Sequence, residues 1–250
     1  MVIKSRVFFK IVHKCSVAAK CQVKFPLQQH SRKLVGTIFY KFQAEYPLIV
    51  VVNGSNTAAL NYEPYFERLA SWGFVVVGND DRQAGTGIST ALTLAYMLEQ
   101  NQNSDSLFYE KMDVQNIGIA GYSQGGVGAV RAVTECENSG LYKTIFTGSA
   151  AHSYLAKMWG GYDASKVSIP WFMTAAAGTS DDTGATDAAT ERLGVAPLSS
   201  LAENYDAMPD YVFKLRAKTV IHQIMICPPN KGGRIGISTN ISSSSIKVKT

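Results

Sequence analysis

Residues 116–130 read NIGIAGYSQGGVGAV, and this stretch limits the fold more than any other. An apolar run suited to a strand gives way, through Gly121-Tyr122-Ser123-Gln124-Gly125, to a Gly- and Ala-rich run suited to a helix. The chain has to pass from strand to helix over a few residues. Such a turn strains the backbone of its central residue, and glycines two before and two after it leave room for the helix to pass the strand. A strand that feeds directly into a helix is the building unit of a parallel sheet, because parallel neighbours need a crossover between them.

The rest of the chain repeats the alternation. "VGTIFYK", residues 35–41, reads as a strand. "YPLIVVV" is an apolar run that suits a strand buried on both faces, and it stops at the turn signal Asn53-Gly54-Ser55. "EPYFERLASWG" spaces Tyr65, Phe66, Leu69 and Trp72 as a helix does, with Gly73 to close it. "FVVVGNDD" is a further strand and "ISTALTLAYMLEQN" a helix carrying Leu92, Leu94, Ala95 and Leu98. After the segment around Ser123 come strands at "YKTIFTGSA", "IPWFMTAAAG" and "YVFKLRAK". The expected class is α/β, with a mostly parallel sheet covered by helices on both faces. Residues 1–30 show no clear period and 1–34 read as an atypical N-terminal segment, so the domain is expected over 35–227. "PPNKGGRIGISTNISSSSIKVKT", residues 228–250, reads as a flexible tail with little to bury.

Composition matters here for what it excludes. Hydrophobic residues make up 46% of 250 residues, enough for one full core. The net charge of +5 comes from the ends, since residues 1–41 carry Lys and Arg but no Asp or Glu. No basic stripe with interleaved aromatics crosses the middle, so nucleic-acid binding is not expected. No apolar run is long enough to span a membrane. Lys10 and Lys14 interrupt the apolar N-terminus, which disfavours a secretory leader and tilts the expectation toward a cytoplasmic location. Cys15, Cys21, Cys136 and Cys227 form no CxxC pair and are expected as reduced thiols. No His/Cys/Asp cluster has metal spacing, and no phosphate-binding glycine loop follows the first strand, so neither metal nor organic cofactor is expected.

The turn around Ser123 has the context that a nucleophilic serine requires. The helix behind it aims its N-terminus at the turn, and its backbone N–H groups suit a developing oxyanion. One donor is the N–H of Gln124. The second is expected from the turn after the earlier central strand, at Ser55, with Asn56 as the alternative. The competing reading is a plain βα turn with no chemistry. The partners of such a serine follow it in chain order, acid before histidine. His222 satisfies that order; His13 and His30 come too early, and His152 ends the next strand, where it either lines the pocket or sits in a loop. The acid is expected after "IPWFMTAAAG", at Asp181 or its neighbour Asp182. Asp80 and Asp81 are read as caps of the next segment, and Asp187, Glu191 and Asp206 as solvated helix faces. Tyr122, His152, Trp159 and Trp171 are candidates to line a cleft, with core packing favoured for Trp171. "AHSYLAKMWGGYDASK" is short for a lid, so an open cleft is expected.

"YPLIVVVNGSNTAALNYEPYFERLASWGFVVVGNDD" followed by "NIGIAGYSQGGVGAVRAV" resembles the α/β-hydrolase superfamily, in its bacterial dienelactone-hydrolase-like and polyester-hydrolase (cutinase-like) branch. The resemblance runs over about residues 35 to 222 and is strongest over 47–150. It implies an α/β-hydrolase fold and a serine hydrolase that cleaves carboxylic esters, small or polymeric, through an acyl-enzyme and without a cofactor. It matches Ser123 to the nucleophile, Asp181 to the acid, His222 to the histidine, and Ser55 and Gln124 to the oxyanion donors. Two departures stand beside it. His222 lies in "TVIHQIMIC", which also reads as a strand, and Pro-Pro, Gly-Gly and a Ser run replace the amphipathic helix that the family places last. These departures keep open an alternative: an α/β-hydrolase scaffold of impaired catalysis, retained for binding or altered by truncation or a frame change.

Overall fold

The computed structural model describes residues 7–11, 34–37, 45–176, 198–219 and 247–249. Strands β1 (Val7–Ile11), β2 (Leu34–Thr37) and β3 (Tyr46–Val52) come first. Helix α1 (Glu63–Ser71), strand β4 (Val75–Asn79) and helix α2 (Ile88–Gln102) follow. Then come β5 (Met112–Tyr122), α3 (Gln124–Thr134), β6 (Tyr142–Gly148) and the short α4 (Ser153–Ala156). The last described elements are β7 (Trp171–Ala176), α5 (Leu198–Ala207), β8 (Lys214–Thr219) and β9 (Lys247–Lys249). The strands form one sheet in the order β2-β1-β4-β3-β5-β6-β7-β8-β9. From β4 to β8 every neighbouring pair is parallel; β1 pairs antiparallel with β4, and β9 antiparallel with β8. This is the mostly parallel α/β architecture that the alternating apolar runs demand.

Consecutive residues of β3 show why its run is apolar throughout. Val50 and Val52 belong to the larger core with Val75, Val77, Ile117 and Ile119, together with Leu94 and Met97 of α2 and Ala129 and Val130 of α3. Val51 turns to the opposite face, with Val76, Tyr122 and Phe66 and Leu69 of α1. Side chains alternate along a strand, so a strand covered on both faces has no polar position to spare. Pro64 opens α1 and Gly73, at φ 95°, ends it. Of the residues spaced for its apolar face, Trp72 lies outside the core, exposed, with the Arg68 guanidinium 5.0 Å above its ring. Leu92 of α2 is exposed as well, and Leu94 and Met97 carry that helix's packing.

Three features go beyond the sequence expectation. β1 and β9 lie in segments that composition set outside the domain. Their place in the sheet comes from ladder hydrogen bonds to β4 and β8, which leave little trace in a side-chain pattern. Helix α5 was foreshadowed only by Asp206, which is exposed on it. Its C-terminus is tied to β8 by the buried Lys214, whose ammonium donates to the Met208 carbonyl at 2.9 Å, faces Asp210 at 3.5 Å and lies 4.9 Å from the Tyr205 ring.

Candidate active site

Ser123 is the single residue between β5 and α3. Its backbone has φ 54° and ψ −121°, a conformation that side chains with a Cβ rarely adopt. The surroundings hold it there. Its N–H donates to the Gly148 carbonyl at 2.9 Å, and its own carbonyl accepts from Gly126 at 2.9 Å and Ala151 at 3.3 Å. Both flanking glycines are required. A Cβ on Gly121 would run into the Gly125 backbone and lie 2.8 Å from the Ala129 methyl; a Cβ on Gly125 would run into the carbonyl groups of Val52 and Asn53. The first turn of α3 thus lies directly against the end of β3, and only glycine permits it.

The turn after β3 meets the same edge. Val52 pairs with Gly121, so the two strand ends are neighbours. Asn53 is buried and its side-chain NH2 donates to the carbonyls of Thr57 and Asp81, each at 2.7 Å. The Gly54 N–H donates to the Tyr62 hydroxyl at 2.8 Å, and the Asn56 N–H to the Arg82 carbonyl at 3.1 Å. No described group accepts from the Ser55 N–H. Gln124 opens α3, so its N–H has no acceptor within the helix. Of the two candidates in the β3 turn, Asn56 has its N–H committed and Ser55 has not. Tyr62 is the residue that sequence reasoning missed. Its hydroxyl also lies 3.1 Å from Thr57 Oγ1, and burial pushes its pKa up, so the phenol stays neutral. Its only sequence signal was a Tyr at the entry to a helix.

The remaining candidates divide. Tyr122 is buried, its ring 6.3 Å from that of Tyr62 and pressed beneath Gly54, where an added Cβ would come within 2.9 Å of it. His152 is buried too and caps α4; its Nδ1 accepts from the Leu155 N–H at 3.4 Å, which places the ring proton on Nε2 when neutral. It follows Ala151, whose N–H reaches the Ser123 carbonyl, so α4 starts beside the turn. Trp159 lies over Gly85, against Gln124 and the small cluster of Val127, Ala151 and Ala156. Trp171 is core, its indole N–H donating to Thr147 Oγ1 at 2.9 Å. Asp81 accepts from the Gln83 N–H at 2.9 Å, as a cap of the next segment does, whereas Asp80 accepts from the Ala59 N–H at 3.2 Å, in the earlier segment after β3. Asp181, Asp182 and His222 lie outside the described residues. The strands that precede them, β7 and β8, are parallel neighbours in the same sheet as β5, so all three strands point their C-terminal ends to the edge where Ser123 stands.

A family model described as PET hydrolase-like matches residues 23–146. The chain is an α/β-hydrolase of the polyester-hydrolase branch. The match takes in the β3 turn, the whole strand–turn–helix around Ser123 and most of β6, and it supports ester hydrolysis as the activity of this hydrolase. No curated protein matches the chain.

Proposed function

We propose that this hydrolase cleaves carboxylic esters through an acyl-enzyme formed on Ser123. The observation that carries the reading is the Ser123 backbone, held at φ 54° between two glycines that tolerate no Cβ. Strain that the surroundings impose from both sides is a recurrent mark of a functional residue. In this reading Ser123 Oγ attacks the ester carbonyl. His222 takes its proton and later delivers it to the leaving alcohol, and Asp181 orients His222 and stabilises its charged form. The N–H groups of Ser55 and Gln124 receive the oxyanion. Water then releases the acid by the same route. The substrate is an ester, small or polymeric.

A fluorophosphonate probe tests this, because it modifies only an activated serine. Wild type should label, and Ser123→Ala and His222→Ala should not. On short p-nitrophenyl esters Ser123→Ala should lose at least about a thousandfold in kcat. Full activity in Ser123→Ala would sink the proposal. A folded wild type that does not label would favour the scaffold reading, in which the unusual sequence around His222 has uncoupled it from Ser123.

A further inference from the structure

The Gln124 side chain is almost completely buried one residue after Ser123, and it meets three groups from two separate loops. One is the indole N–H of Trp159, from the segment that follows α4. Another is the Arg82 carbonyl, 3.1 Å away in the loop after β4. The third is the carboxamide of Gln83, at 3.0 Å. An indole nitrogen only donates and a carbonyl only accepts, so the amide has one orientation that satisfies both: oxygen to Trp159, NH2 to Arg82, with the Gln83 carboxamide turned so that its NH2 donates to that same oxygen. Gly85 makes the arrangement possible. A Cβ there would lie 2.5 Å from the Trp159 ring and 2.9 Å from Gln124 Cγ. One helical face further along, Arg131 repeats the pattern. Its guanidinium donates to the Thr86 carbonyl at 3.1 Å and the Gly161 carbonyl at 2.8 Å, which belong to the same two loops. The two loops are therefore fastened to α3 twice, and the upper fastening is the residue whose backbone N–H stands beside Ser123.

We propose that the Gln124 carboxamide is a positioning residue. By bonding Trp159 and Arg82 at once it fixes the first turn of α3 between the two loops, and so fixes the Gln124 N–H as an oxyanion donor. This rests on the hydrolase reading above. The backbone group is present whatever the side chain, so the role of the amide is to limit where that group can move. Catalysis needs such donors placed before charge develops, and a misplacement of about 1 Å costs on the order of a hundredfold in rate. The ground-state ester depends less on this donor, so the loss belongs in kcat.

The test pairs Gln124→Met, which keeps length and flexibility but neither hydrogen bond, with Trp159→Phe, which keeps a ring but no N–H. Each should lower kcat about tenfold on short p-nitrophenyl esters with KM nearly unchanged. The double variant should be little worse than either single one, since both break the same bond. Folding is followed separately through the Trp159 indole N–H resonance in wild type and Gln124→Met. That signal should move and exchange faster in the variant, while the Trp171 signal, bonded to Thr147, stays in place. A fixed Trp159 signal would overturn the network itself. A moved signal with unchanged kcat, additive losses, or a rise in KM alone would overturn the positioning role. A wild type with the expected indole signals but no labelling and no esterase activity would overturn the hydrolase reading, and the positioning role with it, while leaving the network in place.

Discussion

Ser123 shows how a single residue can hold strain that the fold has to supply. At φ 54° and ψ −121° any Cβ is unfavourable, and a residue without one is not. Ser123→Gly and Ser123→Ala both remove the hydroxyl, yet only the first relieves the backbone. The glycine variant should be the more stable of the two by about 1 kcal/mol, read from chemical denaturation. Equal stability, or a more stable alanine variant, would mean that the turn is not strained. Tyr62 gives a second residue-scale prediction. Its buried hydroxyl holds the Gly54 N–H, and Tyr62→Phe should cost about 1–3 kcal/mol by leaving that donor unpaired. The variant should also lose kcat, because the adjacent Ser55 N–H is no longer braced. Unchanged kcat would separate Tyr62 from the site. Ser123 was legible in the sequence because its constraint is local, written in glycines at fixed offsets. The Tyr62 bond was not, because it depends on how a turn and a later helical segment fold back on each other. The same holds for the Gln124 amide: the backbone role proposed for it comes from standing next to Ser123, whereas its side-chain partners come from loops distant in sequence.

At the scale of elements, the contact of α3 with the end of β3 decides whether the site can form. Gly125 leaves no room for a methyl group against the Val52 and Asn53 carbonyls, which are backbone and cannot rotate away. Gly125→Ala should therefore push α3 off the sheet and cost roughly 3 kcal/mol or more, with labelling lost even in protein that remains folded. Gly140→Ala is the control, since nothing lies within 4 Å of a Cβ there. A Gly125→Ala variant as stable and as readily labelled as that control would refute the close approach. The central strands and α1 to α3 were readable because each buries a patterned face, and their apolar periods follow from that burial. Strands β1 and β9 are held by backbone pairing at the sheet's flanks, and backbone bonds are the same for every residue. Trp72 had the right spacing for the α1 core face, but it stands at the helix C-cap, where the chain is already leaving the cylinder.

For the molecule as a whole, the buried tyrosines link stability to alkaline pH. Burial raises the hydroxyl pKa of Tyr62, Tyr65, Tyr96 and Tyr142, and that of Tyr162 to about 12. Glu99 adds to the rise at Tyr96. At Tyr162 hydrogen bonds from Asn204 and Ser200 hold it back in part. These residues are spread over both faces of the sheet, with Tyr62 in one core cluster and Tyr96 and Tyr142 in the other. A group whose folded pKa lies above its unfolded value stabilises the fold fully below the unfolded pKa, near 10 for tyrosine. Above that pH the unfolded chain releases protons that the folded chain retains, so stability falls as pH rises toward the folded values. Absorbance at 295 nm should therefore show a late, steep ionisation of the buried tyrosines, coincident with loss of the far-ultraviolet circular dichroism. Mild denaturant should bring that step to lower pH, because it favours the state in which the hydroxyls ionise freely. Complete, gradual ionisation near pH 10 with the circular dichroism intact would mean that water reaches these hydroxyls without unfolding, and that the two faces of the sheet are not sealed as the packing of Tyr62 and Tyr142 requires.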